Sequence, residues 1–484
     1  MQTTELKELL KNVQRMKCET QTLEIKAAKA GCPQRLYDTL SSFSNQDDGG
    51  VILFGVDESG NYAETGVYDA QDLQHRVVEQ CQQMTPPVRP LFTALEQDGR
   101  VFVSAEVPGM DVTERPCFYT GKGRLKGSYT RVGDADIPMT EYEIYSFEAF
   151  RKKYQDDVRP VERAVRQSLD TALLEQYLSL LKRNRPNLGN MEQSGIEELM
   201  SITRDGVPTL LSILLFGVYP QAYFPQLVIT AVSVPGTELG DIGESGERFI
   251  DNRRIEGTLP QMLDGALLFV QNNLRHTTIV DPNTGKRTDR SEYPLTAVRE
   301  AVLNALIHRD YSIHTEGMPI QMFLFQDRME IRSPGGLYGR LRVDQLGRVQ
   351  PDTRNPALVV AMELLHQTEN RYSGIPTIRR ELRLAGLPEA EFQNRQGVFT
   401  VCFRKQVVAA KSDERPAEAE PLLEFCGVYR TRQEIAEFLR VRTVHYAIKN
   451  HVMPLIREGW MEMEFPDKPR SPKQRYRARS GKSV

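Results

Sequence analysis

Two kinds of hydrophobic periodicity alternate along the chain and predict a protein of mixed α and β structure. Apolar residues at helical spacing predict helices over 4–16, 33–44, 72–84, 259–273 and 295–308. Short apolar runs bounded by turn residues predict strands over 23–25, 51–56, 101–107, 128–132 and 227–234, and a hairpin over 320–332. The apolar run 210–218 fits a buried strand or a buried helix, and it is too short to span a bilayer.

The same pattern divides the chain into five segments. We expect an α+β domain over 1–150, a charged helical connector over 151–205, a second α+β domain over 206–405, a polar linker over 406–420 and a small domain over 421–484. A length of 484 residues fits about three or four domains.

The last segment predicts two helices, 431–440 and 443–457, followed by strands near 460–465 and 474–478. This order is the outline of a winged helix, whose second helix enters the major groove of DNA. The candidate nucleic-acid contacts are Lys449, Asn450, Lys468, Arg470, Lys473, Arg475 and Arg477. The alternative is a solvated basic tail without a partner.

Composition restricts the kinds of protein that this chain can be, but it adds little to the prediction of the fold. Hydrophobic residues make up 40% and charged residues 26%, as in a soluble globular protein. The net charge of -3 argues against a uniformly basic surface, although a local basic patch remains possible. The N-terminus has no apolar signal segment, so we expect a cytoplasmic protein with no membrane contact. The six cysteines form no CxxC pair and read as reduced thiols.

The segment 293–311, YPLTAVREAVLNALIHRDY, carries the most informative polar residues. Glu300, Asn304 and His308 are four residues apart, so they share one face of a helix. An amide oxygen suits Mg²⁺, and a carboxylate can orient an attacking water. Taken alone, the pattern could equally be the polar face of an amphipathic helix.

Small residues follow at two places further along the chain. One is the run Ser333-Pro334-Gly335-Gly336, and the other is Ser373-Gly374 before a predicted helix. Glycine lets a backbone approach phosphate closely, and the start of a helix favours anions. No GxxxxGK[ST] motif occurs, so a Walker-type ATPase is not supported.

These motifs resemble the divergent GHKL-type, RecG-related ATPase module of a family of bacterial transcriptional regulators. The motifs E-A-x-x-N-A-x-x-H-R-D-Y, D-R-x-E-I-x-x-P-G-G-L, R-N-P and S-G-I occur at 300–311, 327–337, 354–356 and 373–375. The resemblance implies an α/β sandwich that binds ATP and Mg²⁺. It makes Asn304 the Mg²⁺ ligand and Glu300 the catalytic residue that activates water. The nucleotide would be lined by Asn304, His308, Ser333, Gly335, Gly336 and Gly374, with Ser333 in place of the superfamily's adenine-binding Asp.

Near the N-terminus, three carboxylates and a lysine could converge. Glu24 and Lys26 share a face of the strand 23–25, and Asp57 ends the strand 51–56. If the two strands are neighbours, Glu19, Glu24 and Asp57 could hold a divalent metal for displacement at phosphate. The alternatives are an exposed ion pair and an ordinary turn.

The pattern E-x-x-x-x-E-x-K at 19–26, with F-x-N-x-x-x-G-G-x-x-x-x-G-V-D-x-x-G at 43–60, resembles the Schlafen-like AlbA domain. The resemblance implies binding of DNA or RNA, with Lys26 as a contact. Some Schlafen proteins cleave RNA with acidic residues that match Glu19, Glu24 and Asp57, which would make these three metal ligands.

Three functions therefore remain open. The first is an ATP-binding, DNA-binding transcriptional regulator in which nucleotide modulates DNA binding. The second is a metal-dependent nuclease controlled by ATP, and the third is a non-catalytic scaffold with a decayed ATP site. A homodimer is plausible because palindromic DNA sites suit two-fold proteins.

Overall fold

The computed structural model describes residues 1–484 except 244, 275, 281–286, 366–372, 406–418, 442, 458–459, 466–473 and 480–484. The chain forms two compact units, Met1–Gln406 and Val407–Val484. Among the described residues, no helix is long and apolar enough to cross a membrane.

The first part of the larger unit is a four-stranded sheet with helices on both faces. Its helices are α1 (Thr3–Met16), α2 (Tyr37–Ser44), α3 (Ala70–Gln82), α4 (Gly123–Gly127) and α5 (Glu141–Lys152). Its strands are β1 (Leu23–Lys26), β2 (Gly50–Phe54), β3 (Val56–Asp57), β4 (Ala63–Glu64), β5 (Met84–Thr85), β6 (Leu91–Gln97), β7 (Arg100–Val107), β8 (Phe118–Tyr119), β9 (Tyr129–Val132) and β10 (Ala135–Pro138).

The strands of this sheet follow the order β1-β2-β7-β6. β1 and β2 are parallel, with Leu23 opposite Val51, so these two segments are neighbours in the sheet. Because successive residues of a strand point to opposite faces, Leu53 packs in the α1 core while Ile52 and Phe54 pack in the core of α2 and α3.

The second part of the larger unit contains a six-stranded sheet and most of the helices. The helices are α6 (Thr171–Asn184), α7 (Gln193–Leu199), α8 (Leu210–Phe216), α9 (Leu259–Asn273), α10 (Leu295–His308), α11 (Pro356–Leu364) and α12 (Gly374–Leu384). The strands are β11 (Thr203–Arg204), β12 (Val207–Pro208), β13 (Ile229–Ser233), β14 (Asp251–Ile255), β15 (His276–Val280), β16 (Arg287–Ser291), β17 (Ile320–Leu324), β18 (Arg328–Pro334), β19 (Glu391–Arg395) and β20 (Val398–Arg404). The ambiguous apolar run is therefore a helix, and every residue of α8 is buried.

The six strands follow the order β14-β13-β17-β18-β20-β19, and only β13 and β17 are parallel within this sheet. Helices α9, α10 and α12 share one core with the inward side chains of the sheet, such as Met322 and Ile331. α10 contacts α9, α12 and β18, which explains why most of its residues are buried. This position leaves α10 with one polar strip beside the start of α12.

The smaller unit begins with α13 (Glu420–Phe425) and α14 (Arg432–Phe438), and a helical segment then runs through α15 (Val444–Ala447), the π-helical turn Ile448–Val452 and α16 (Met453–Arg457). Strands β21 (Arg430–Thr431), β22 (Met461–Met463) and β23 (Arg475–Ala478) form a sheet in the order β21-β23-β22. Residues 406–418 of the predicted linker lie outside the described residues, and α13 begins at the linker's last residue, Glu420.

Candidate functional site

A cavity of about 370 Å³ lies beside the polar strip of α10. Its volume is within the range of about 300–1,000 Å³ that is usual for small-molecule sites. Apolar side chains such as Leu303, Leu346 and Ile375 form much of the wall. The wall also contains all seven residues that the motifs of this region single out: Glu300, Asn304, His308, Ser333, Gly335, Gly336 and Gly374. The fold therefore gathers α10, the end of β18 and the start of α12 around one space of ligand size.

The polar end of the cavity lies where α10 faces the first turn of α12. A Cβ on Gly374 would come 2.9 Å from Asn304 Nδ2 and 3.2 Å from Glu300 Oε2. Arg299 Nη1 lies 3.7 Å from Glu300 Oε1. α12 begins at Gly374, and the N–H groups at a helix start attract anions. A carboxylate, an amide oxygen and a helix start thus meet at one point, as binding of Mg²⁺ and phosphate would require.

A glycine turn after β18 forms another part of the wall. Gly335 has a φ of +99°, and a Cβ there would collide with Arg354 Nη1 and Asp310 Cβ. The turn is held by the Asp310 N–H, which donates to Pro334 O at 3.0 Å, and by the Gly335 N–H, which donates to Gly397 O at 2.7 Å. Glycine is therefore required at 335 by both conformation and space.

The hydroxyl of Ser333 is already used as a donor. Ser333 is buried, and its Oγ donates to the carbonyl of Ala305 in α10 at 3.1 Å. A hydroxyl has one proton and two lone pairs, so Ser333 can offer a ligand only an acceptor.

The side chain of His308 is exposed to the cavity, and protein surrounds it elsewhere. Burial, with a smaller effect from the nearby cation of Arg354, lowers the pKa of His308 to about 4. The imidazole is therefore neutral near pH 7 and adds no positive charge to the site.

The H-R-D-Y motif is largely structural. The buried guanidinium of Arg309 donates to Thr315 O at 2.7 Å, and it fixes the loop that follows α10. Tyr311 is also buried, and its hydroxyl donates to Leu306 O at 2.7 Å. Both side chains therefore support the structure around α10.

The R-N-P motif closes the end of α10. Asn355 Nδ2 donates to Ile307 O at 2.9 Å and to Arg309 O at 2.8 Å, which satisfies carbonyls that the helix end would leave unpaired. Arg354 Nη2 donates to Gly336 O at 3.3 Å. One short motif therefore supports both the helix and the glycine turn of the cavity.

A buried carboxylate joins these parts. Asp310 Oδ2 accepts a hydrogen bond from the Tyr142 hydroxyl at 2.8 Å and lies 3.4 Å from Arg354 Nη1, while the Ser312 N–H donates to Oδ1 at 2.8 Å. Burial alone would raise the pKa of Asp310, but Arg354 and these donors outweigh it and lower the pKa below the usual value. Asp310 is therefore an anion, and its partner Tyr142 lies too far away in sequence to have been predicted.

The predicted metal ligands Glu19, Glu24 and Asp57 do not form one cluster. Glu24 is buried, and Arg131 Nη1 donates a hydrogen bond to its carboxylate at 2.7 Å. The other terminal nitrogen of the same guanidinium, Arg131 Nη2, lies 3.5 Å from the carboxylate of Glu19. Asp57 instead accepts a bond from Ser59 Oγ at 2.7 Å within its own turn. Within the part of the chain that the structure describes, no three His, Cys, Asp or Glu residues are arranged to hold a metal. The carboxylates of Glu19 and Glu24 therefore share one buried arginine as their counter-ion.

The charges of Lys26 and Glu19 are both influenced by the carboxylate of Glu24. The ammonium of Lys26, a predicted nucleic-acid contact, is bonded to Glu24, which balances its charge. Burial raises the pKa of Glu19 to about 7, helped by the nearby Glu24, although the Ile25 N–H donates to Glu19 at 2.7 Å.

The predicted contacts in the smaller unit are only partly described. Arg475 and Arg477 lie on β23, and each is paired with a glutamate, Glu464 at 2.5 Å and Glu462 at 2.6 Å. Their charges are therefore balanced more than the sequence suggests. Lys449 and Asn450 belong to the π-helical turn, but their side chains lie outside the described residues, as do Lys468, Arg470 and Lys473 entirely.

Three stretches of the chain match known protein families. Residues 19–140 match the family described as "Schlafen, AlbA_2". Residues 317–403 match "Putative ATP-dependent DNA helicase recG C-terminal". Residues 420–478 match "Filamentation induced by cAMP protein Fic-like, C-terminal domain", rather than a winged-helix family. The second match begins beyond α10, so Glu300, Asn304 and His308 lie outside it.

Two solved structures are similar to the chain. The DIP2311 protein from Corynebacterium diphtheriae is 17% identical over 90% of this chain and 87% of that chain, with a TM-score of 0.40. The N-terminal domain of a RecG-related protein from Nitrosomonas europaea is 27% identical over 28% of this chain and 92% of that chain, with a TM-score of 0.23. None of the curated proteins matches the chain. The protein is thus a mixed α/β, multidomain chain with a Schlafen AlbA_2 domain and a RecG-related, ATPase-like domain.

Proposed function

We propose that this protein binds ATP with Mg²⁺ in the cavity beside α10 and that the bound nucleotide modulates its binding to nucleic acid. The observation that carries the proposal is the convergence of seven motif residues from three elements on one cavity of about 370 Å³. Chance placement on separate helix faces and loops would scatter these residues over the surface.

Each part of the wall suits one part of the ligand. The amide oxygen of Asn304 is a hard ligand for Mg²⁺, and Glu300 beside it is placed to orient a water at the terminal phosphate. The N–H groups at the start of α12, by Gly374, favour the phosphates. Ser333 can only accept, which suits the exocyclic amine of adenine. His308 is neutral, so it neither attracts nor repels the phosphates.

The nucleic-acid part of the proposal is supported by the Schlafen AlbA_2 and RecG-related matches. In the smaller unit, the order of helices and the β22–β23 hairpin support DNA binding in the manner of a winged helix. Regulation by nucleotide requires that ATP bind two states of the protein with different affinity, and reciprocity then requires that nucleic acid change the affinity for ATP. A transcriptional regulator is the function that we infer from this combination.

The test is calorimetric titration of Mg²⁺-ATP into the full chain, with nucleic-acid binding measured with and without nucleotide. Asn304→Ala should abolish nucleotide binding because it removes the Mg²⁺ ligand. Asn184→Ala is the matched control, since Asn184 ends α6 and its side chain only bonds Leu180 O. Equal binding by Asn304→Ala and wild type would refute the assignment of the site. Absence of binding by the wild type would favour a scaffold with a decayed site.

A further inference from the structure

Helix α5 contacts the wall of the cavity although it belongs to neither of the two matched domains. The AlbA_2 match ends at residue 140 and the RecG-related match begins at 317, whereas α5 spans Glu141–Lys152. At the start of α5, the Tyr142 hydroxyl donates to Asp310 Oδ2 at 2.8 Å. This bond joins residues that are 168 positions apart in the chain.

Tyr142 reaches the glycine turn by two short routes. Along the first, Asp310 lies 3.4 Å from Arg354 Nη1, and Arg354 Nη2 donates to Gly336 O at 3.3 Å. Along the second, the ring of Tyr142 packs against Gly397, where a Cβ would come 2.6 Å from Tyr142 Cε1. The carbonyl of Gly397 in turn accepts the hydrogen bond from the Gly335 N–H. The first route ends on Gly336 and the second on Gly335, and both glycines line the cavity.

The groups along the first route are buried, so they cannot replace a lost partner with bulk water. Asp310 and Arg354 have side chains only 4% and 6% exposed. Removing a donor from a buried carboxylate leaves that charge under-solvated, and its remaining partners shift to compensate. Here the nearest partner that can shift is Arg354, which also holds the carbonyl of Gly336.

The other end of α5 supports the next part of the wall. Tyr338 lines the cavity, its ring packs edge-on against Phe150 with centroids 5.3 Å apart, and its hydroxyl donates to Ala149 O at 3.4 Å. The helix therefore contacts Tyr338 directly at one end, and at its other end Tyr142 reaches the glycine turn through intervening residues.

We propose that Tyr142 is a positioning residue of the nucleotide site, which acts through Asp310 and Arg354 on the Gly335–Gly336 turn. The nucleotide site is then completed by a helix that follows directly on the AlbA_2 domain. This inference rests on the proposed function, because it concerns the same cavity.

The experiment compares Tyr142→Phe with Tyr145→Phe in the full chain. Tyr145 lies one turn later on α5, and its hydroxyl donates to Asp156 at 3.0 Å instead of Asp310. Titration of Mg²⁺-ATP should show about three- to tenfold weaker binding for Tyr142→Phe, which is less than the loss of a direct bond to a charged group, because Tyr142 acts only through its neighbours. Tyr145→Phe should bind like the wild type. Thermal unfolding without nucleotide separates this effect from a general loss of stability.

A second variant keeps the proposal testable if Tyr142→Phe alters folding. Asp310→Asn and the double variant complete a double-mutant cycle, and their effects on affinity should be non-additive because both act on one route. Wild-type affinity in Tyr142→Phe, or a lowered melting temperature with unchanged affinity, would overturn the inference while the proposed function stands. If the wild type binds no nucleotide, the proposed function and this inference are both refuted. If Asn304→Ala loses binding while Tyr142→Phe binds like the wild type, only the positioning role of Tyr142 is refuted.

Discussion

Gly374 and Asn304 face each other across the polar end of the cavity with no space for a side chain between them. A Cβ on Gly374 would lie 2.9 Å from Asn304 Nδ2, closer than such an atom is normally found. We therefore expect Gly374→Ala to weaken Mg²⁺-ATP binding by about tenfold or more, while stability changes by less than about 1 kcal/mol because alanine suits a helix. Calorimetry and thermal unfolding measure the two effects. Gly195→Ala in α7 is the control, since its Cβ would meet only Met191 Cε at 3.6 Å.

In the proposed function, Glu300 acts on water and does not hold the nucleotide. We expect Glu300→Gln to lower ATP hydrolysis by about 100-fold or more, as loss of a general base does, while the affinity for Mg²⁺-ATP changes little. Phosphate release and calorimetry report these effects separately. Glu363→Gln removes another carboxylate from the cavity wall and should leave hydrolysis unchanged. Equal rates in Glu300→Gln and wild type would exclude this role.

The ion pair of Arg354 and Asp310 is buried, so loss of one partner leaves an uncompensated charge. Arg354→Met should destabilise the protein by about 3–5 kcal/mol. Adding Asp310→Asn should restore part of this loss, because the remaining buried group is then neutral. Urea unfolding of the three variants measures the difference. Equal destabilisation in the single and double variants would show that lost packing, not charge, is responsible.

The raised pKa of Glu19 predicts a pH dependence of stability. A carboxyl group whose pKa is about 7 when folded and 4.5 when unfolded binds its proton more tightly in the folded state. Stability should therefore fall as pH rises from about 4.5 to about 7, and Glu19→Gln should remove that part of the slope. Melting temperatures between pH 5 and 8 measure it, with the exposed Glu8→Gln as the control. A wild-type slope in Glu19→Gln would contradict the assignment.

The glutamates of the β22–β23 hairpin should weaken any contact of this hairpin with DNA. Glu464 pairs with Arg475, and Glu462 pairs with both Arg477 and Arg479, so Glu462→Gln with Glu464→Gln releases three positive charges. We expect higher affinity for DNA and a steeper fall of affinity with salt, by about one unit of slope for each phosphate gained. Fluorescence anisotropy at several salt concentrations measures both. Glu437→Gln, which removes an exposed charge from α14, should change neither the affinity for DNA nor its salt dependence. An unchanged salt dependence in the double variant argues against contact of the hairpin with DNA.

The elements that could be predicted from the sequence are those whose hydrophobic pattern lies within one short stretch of the chain. Helices α9 and α10 have the predicted bounds, because each carries a wide apolar face over three or more turns. The edge strand β14 was not predicted, since its residues Asn252, Arg253 and Arg254 are polar and an edge strand needs no apolar alternation.

The candidate site likewise contains residues that could be identified from the sequence and partners that could not. The cavity residues come from contiguous motifs, so the sequence located them, although not the space that they enclose. The partners Arg131 of Glu24 and Tyr142 of Asp310 lie more than a hundred positions away in the chain, and no local pattern marks such a pair. The metal site proposed from Glu19, Glu24 and Asp57 stays a prediction, and Arg131, the counter-ion of Glu24, could not be identified from the local sequence.

The parallel pairing of β13 with β17 has a consequence for how the larger unit folds. Helices α9 and α10 lie between these strands in the chain, so β17 is added beside β13 only after a long loop has closed. Pairings of such high sequence separation slow folding, because the entropy of loop closure is lost before the contacts form. A fragment limited to residues 317–403 would contain β17 to β20 without the neighbouring strand or the helix that covers them. During synthesis, β13 can pair with β14 at once, but its other edge should stay unpaired and prone to aggregation until β17 has emerged from the ribosome.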